Sequence, residues 1–142
     1  MKKLFVLLLA VLTICMTGCN DEVRTLEGSY SYKISGVVEV DWDEVNLADE
    51  IGAMDIVRID TETALLTFNA INGGVYHTTA QINDKAITLK RFERDITLRA
   101  QNYHINVSGK GDVYDQTIIF SLKYESDDVS TQSIEMLCKR NK

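Results

Sequence analysis

The stretch Tyr30–Trp42, YSYKISGVVEVDW, decides the reading of the whole chain. Its even positions are Tyr30, Tyr32, Ile34, Gly36, Val38, Val40 and Trp42, all apolar or glycine. From Ser29 to Asp41 the odd positions are mostly polar. Side chains of a strand alternate between its two faces, so this period of two describes a long β-strand with one buried face. Gly36 in the middle marks a bend or bulge, as a curling sheet requires.

The same rhythm continues downstream. Met54–Asp60, Ala64–Ile71, Val75–Ile82, Ala86–Phe92 and Ile96–Ala100 read as strands, and Tyr103, Ile105 and Val107 share one face. Tyr114, Gln116, Ile118, Phe120, Leu122 and Tyr124 form another alternating row, and Val129–Cys138 the last. Turn chemistry separates them at Asn72-Gly73-Gly74, Asn83-Asp84-Lys85, Gly109-Lys110-Gly111-Asp112 and Ser126-Asp127-Asp128. Asp41–Gly52 breaks the pattern and reads as a loop with one helical turn, lying across one mouth of a barrel. The expectation is an all-β antiparallel meander of eight to nine strands closed into a barrel, with a two-sheet β-sandwich as the alternative.

The N-terminus carries a different signal. Met1-Lys2-Lys3 precedes an apolar run from Leu4 to Met16, interrupted only by Thr13. As a helix its 13 residues reach about 20 Å, short of a membrane's hydrocarbon core, so the layout is that of a signal peptide. Met16-Thr17-Gly18-Cys19 resembles the lipobox of bacterial lipoproteins. The resemblance implies a signal peptide over 1–18, lipidated Cys19 as the mature N-terminus and a tether over 19–25, ahead of a barrel domain over 26–142. Two or more acyl chains hold a protein stably at a membrane where one does not. Asn20 stands where aspartate would retain a lipoprotein at the inner membrane. Asp21-Glu22 resembles the acidic tag of surface-exposed lipoproteins. Outer membrane, with display at the cell surface as an extension, is the implied location.

Composition narrows the function. Cys19–Lys142 is 124 residues, enough for one domain with one core. Without Lys2 and Lys3 the balance is 13 basic to 21 acidic residues, a net charge of −8. Such a surface repels phosphate backbones, which argues against nucleic acid as a partner. Once Cys15 leaves with the signal peptide and Cys19 is lipidated, Cys138 is the remaining thiol. It can form no internal disulfide, and no CxxC pair offers a zinc site.

Two patches carry a family resemblance: Gly28-Ser29-Tyr30 at the start of the first strand, and YHINVSGKGDVYDQTIIFSLKY (Tyr103–Tyr124) followed by a strand ending Cys138-Lys139-Arg140. Together they resemble the lipocalin-like, or calycin-like, barrel lipoproteins of Bacteroidetes. Lipocalins open with G-x-W and lay an arginine of the last strand over that tryptophan. Here Tyr30 holds the tryptophan's place, and Arg140 is the candidate arginine, a cation–π contact of about 0.5–2 kcal/mol. The resemblance implies a shape more than an activity.

Chemistry-bearing motifs are sparse. His77 and His104 lack a metal-spacing partner. Asp41, Asp43, Glu44, Asp49 and Glu50 lack the spacing of a calcium loop and read as a solvated face. No nucleophile elbow or phosphate-binding glycine loop appears, so neither an enzyme nor a cofactor is expected. Two uses remain. In the first, the barrel holds a small apolar or amphipathic ligand, with Tyr30, Tyr32, Trp42, Phe120 and Tyr124 as its lining. In the second, a solid barrel docks onto an outer-membrane protein as an accessory module.

Overall fold

The computed structural model describes residues 26–142, so the expected signal peptide (1–18), lipidated Cys19 and its tether lie outside the described residues. The alternation in Tyr30–Trp42 becomes β1 (Gly28–Val40), with Tyr30, Tyr32, Ile34, Val38 and Val40 buried. Eight strands follow: β2 (Asp43–Asn46), β3 (Glu50–Arg58), β4 (Thr63–Ala70), β5 (Gly74–Asn83), β6 (Ala86–Leu98), β7 (Gln101–Tyr114), β8 (Thr117–Glu125) and β9 (Val129–Arg140). All pairings are antiparallel, and β9 returns to pair with β1 from Tyr30↔Arg140 to Val40↔Val129. The sheet is therefore a closed meander barrel of eight strands with one extra strand, β2. Closure removes the edges that a sandwich would leave open.

The extra strand explains Asp41–Gly52. No helical turn forms there. With β9 along one edge of β1, β3 pairs with the lower half of the other edge (Ile34↔Glu50) and β2 with the upper half (Val37↔Asn46). The two are one broken strand, parted at Leu47-Ala48-Asp49. As expected, this segment lies at a mouth, here called the upper end, where β1 finishes and β3 begins. Gly36 sits where β1 and β9 nearly touch, since a Cβ there would overlap the Ser133 carbonyl oxygen. A register shift follows between Val37 and Val38.

Two other expectations are corrected. Ala86–Phe92 and Ile96–Ala100 belong to one strand, β6. A bulge between Leu89 and Phe92 switches parity, so Ile87 and Leu89 face the core on odd positions while Leu98 does so on an even one. Gly109–Asp112 is no turn but the middle of β7, and the chain reverses at Asp115-Gln116. Gly111 makes room for Phe120, whose ring atoms lie from 2.6 Å of where a Cβ would be. Glycine here serves packing rather than turning.

The barrel interior is filled. Phe68, Phe120, Met54, Leu66, Ile105, Ile118 and Met136 are fully buried, and the void among the central side chains is about 10 Å³, room for one water at most. Leu26 and Tyr30 close the lower end. The Tyr30 hydroxyl donates to the Leu26 carbonyl at 2.8 Å, the Arg140 guanidinium lies 5.4 Å over the Tyr30 ring, and Arg140 Nη2 donates to the Glu27 carbonyl at 2.6 Å.

Candidate functional site

The upper end is built otherwise. The β5–β6 ladder has only four pairs, from Asn83↔Ala86 to Ala80↔Leu89, and the two strands part above it. Thr78 Oγ1 donates to the Lys90 carbonyl at 2.8 Å, bridging the seam where the ladder stops. Inside the seam, Tyr76 stacks between Phe68 (4.9 Å) and Phe92 (5.8 Å), and Tyr32 meets Phe68 edge-on at 5.6 Å. These aromatic faces fill the space the absent ladder would have braced.

A charged network caps this stack. Glu50, first residue of β3, points inward opposite Ile34. Arg94 joins the inward row because of the bulge in β6. Arg94 Nη2 lies 2.6 Å from Glu50 Oε2 and Nη1 3.2 Å from Oε1, while Tyr76 and Tyr32 donate their hydroxyls to Oε1 at 2.6 and 2.9 Å. The guanidinium also lies 4.1 Å over the Tyr76 ring. The side chains of Arg94 and Glu50 are only 9% and 21% exposed. Burial by itself would raise the Glu50 carboxyl. Hydrogen bonds from Arg94, Tyr76 and Tyr32, with the Arg94 charge, outweigh it and hold the group below the usual glutamate range. Burial raises the Tyr76 and Tyr32 phenols, so both stay protonated donors. Burial opposes the Arg94 charge, but the bonds to Glu50 more than compensate and push its pKa up.

Above this floor opens a cavity of about 270 Å³. Its walls are Ile34, Leu47, Ala48, Ile51, Ile71 and Ile96; its polar atoms come from Asp49, Glu50, Asn72, Arg94, Asp95, Thr97 and Tyr124. Asp49 is paired with Lys33 at 3.1 Å, and Asp95 with His104 Nδ1 at 2.7 Å. The arrangement is a small pocket with aliphatic walls and convergent polar groups, a form that ligand sites share. Among the described residues no group of three or more His, Cys, Asp or Glu side chains is placed to hold a metal.

The five aromatic residues singled out from the sequence separate. Tyr124 lines the cavity, and Tyr32 reaches its floor through Glu50. Tyr30 lies at the lower end, and Phe120 is packed against Gly111 in the core. Trp42 is 92% exposed. The strand ends before it, and Asp41 and Trp42 take positive φ (50° and 73°) as the two-residue turn between β1 and β2, so the inward alternation stops at Val40. Tyr30, Phe120 and Trp42 therefore do not border the cavity. Glu50, read from the sequence as part of a solvated acidic face, instead turns inward and is only 21% exposed, and Arg94 and Tyr76 are the residues sequence reasoning missed. One signal was available: an arginine in the row Phe92, Arg94, Ile96, Leu98 is a charge on an inward parity.

The fold has solved counterparts. A redesigned β-barrel superposes with TM-score 0.54 and 12% identity, over 86% of this chain and 96% of its own. EF1p2_mFAP2b, solved bound to DFHBI, gives 0.54 and 11%, over 85% and 98%. A protein of Bacteroides fragilis, provisionally described as an outer membrane protein, gives 0.52 and 15%; the match covers 88% of this chain but 54% of that one. At these identities the likeness is one of fold. No family model matches the chain, and no curated protein does.

Proposed function

We propose that this is an outer-membrane lipoprotein, anchored through lipidated Cys19, whose barrel binds a small amphipathic molecule without chemical conversion. The observation that carries the reading is the aliphatic-walled cavity of about 270 Å³ above the half-buried Glu50–Arg94 pair. The site is at the mouth rather than along the barrel axis, because the interior is packed. Binding there would bury apolar ligand surface at about 25 cal/mol per Å². EF1p2_mFAP2b supports the reading as a barrel of this fold that holds a small molecule, and the Bacteroides fragilis protein supports the location. The tether of residues 19–25 spans at most about 25 Å. It joins the barrel at Leu26, at the end opposite the cavity, so on this reading the mouth faces away from the anchoring membrane.

Native mass spectrometry of the protein, extracted gently from its host's membranes, tests the proposal. A stoichiometric added mass beyond the anchor, lost on denaturation, is expected. A bare monomer overturns it.

One observation favours a second reading, a docking module. Trp42 is a large exposed apolar side chain on a turn that suits glycine or asparagine better, and Ile51, Ile71 and Val75 are also exposed at the upper end. Co-purification with an outer-membrane protein, lost in Trp42→Ala, would put this reading first.

A further inference from the structure

The cavity floor holds one polar group that the protein leaves unanswered. Tyr124 is 3% exposed and lines the cavity, yet its hydroxyl has no hydrogen-bond partner among the described residues. Its backbone is well held: the N–H donates to Thr131 Oγ1 at 2.6 Å, and the same hydroxyl donates back to the Tyr124 carbonyl at 2.9 Å. The β8–β9 ladder ends at Leu122↔Ile134, and this threonine fixes Tyr124 just beyond it. Buried hydroxyls are nearly always partnered. An unpaired one on a cavity floor, on a braced backbone, marks where a ligand atom goes.

The neighbouring charges define that atom. Arg94 has given Nη1 and Nη2 bonds to Glu50, but a guanidinium carries five N–H donors, so donors remain. Glu50 Oε1 already accepts from Tyr32, Tyr76 and Arg94. The floor thus offers mainly donors. A carboxylate would meet Glu50, with Asp49 and Asp95 on the walls, and Arg94 is already neutralised. An ammonium would be drawn to the exposed Asp49 and Asp95 at the rim, but at the floor, beside Tyr124, it would meet the Arg94 guanidinium. Either ion would also lose its hydration in an apolar pocket.

We propose that Tyr124 and Arg94 together hold the neutral acceptor oxygen, a carbonyl or hydroxyl, of an uncharged amphiphile whose apolar tail lies against Ile34, Ile51, Ile71 and Ile96. This rests on the reading of the mouth cavity as a binding site.

The test uses the full chain carrying Cys19→Ser, isoleucine-methyl NMR, and four eight-carbon probes: 2-octanone, octanamide, octanoate and octylamine. The two neutral probes are expected to shift the methyls of Ile51, Ile71 and Ile96, and to bind at least about tenfold more tightly than either ion. Tyr124→Phe should weaken 2-octanone about five- to tenfold, the loss of one buried hydrogen bond, with an unchanged methyl spectrum in the free protein. Equal binding of 2-octanone by Tyr124→Phe would reduce the floor site to a water position, and octanoate or octylamine matching the ketone would overturn the head-group assignment; in both cases the cavity remains a binding site. Binding of none of the four would overturn the head-group assignment and the cavity reading together.

Discussion

Each end of the barrel lays an arginine over a tyrosine ring, and the two pairs do different work. At the lower end Arg140 covers Tyr30 and gives a hydrogen bond to a backbone carbonyl, that of Glu27. The Glu27 carboxylate there accepts from the Arg58 N–H at 2.7 Å at an exposed position, and Leu26 completes the plug. At the upper end Arg94 covers Tyr76 but also neutralises Glu50, whose carboxylate gathers two phenols. The first pair is a closure. The second is a half-buried ion pair, which adds little net stability but is costly to break once its partner is stranded. A fold that needed only to seal its mouth would do so more cheaply with leucine. The difference points to the upper end as the place where polarity is kept for use.

That contrast can be broken by removing each arginine in turn. Arg94→Ala leaves the part-buried Glu50 carboxylate without its cation, still held by both phenols, and should lower unfolding stability by about 3 kcal/mol. Arg140→Ala loses a cation–π contact and a carbonyl hydrogen bond, and should cost about 1–2 kcal/mol. Urea unfolding of both variants measures the gap. Equal losses would mean the two ends are equivalent.

Acid sharpens the same comparison. Glu50 has a folded pKa below its unfolded value. Its contribution is therefore fully present above the ordinary glutamate value of about 4.5 and lost as pH falls through the lower folded value. Amide exchange should show β5 and the upper half of β6 losing protection across that window, while the Leu26–Tyr30 end keeps its own. His104 shifts in the opposite direction. Its bonds to Asp95 and Glu93 raise its pKa, so its small, solvent-screened contribution is present below about 6.5 and lost as pH rises through the folded value. A histidine titration by NMR separates the two effects.

The smallest expected effect lies at the hairpin over the mouth. Both turns that meet there hold non-glycine residues at positive φ: Asp41-Trp42 and Arg99-Ala100, joined by the Asp43–Arg99 ion pair at 3.3 Å. Trp42→Asn relieves one such position and should raise stability by about 1 kcal/mol in thermal unfolding. A loss instead would show that the indole packs against something, which favours the docking reading.

Period-two alternation marked most of the strands, and with the turn signals between them it pointed to an antiparallel barrel, because the side-chain parity of a strand is a local property. The pairing of Arg140 with Tyr30 came from the family resemblance, and the two sit at strand ends that a meander must bring together. Parity fails wherever a bulge or turn resets it. The bulge in β6 set Arg94 on the inward row, the β1–β2 turn put Trp42 in solvent, and close packing of Leu122 and Phe120 over Gly109 and Gly111 looked like turn chemistry. The inward parity of Arg94 among Phe92, Ile96 and Leu98 was legible, but its partners in the Glu50–Arg94–Tyr76 network were not. The network's members are 18 to 44 residues apart, and only barrel closure sets them across one mouth. The sequence determined which faces of the strands are buried. The tertiary structure decided that the interior is full, that the space left is at the mouth, and which hydroxyl there is left without a partner.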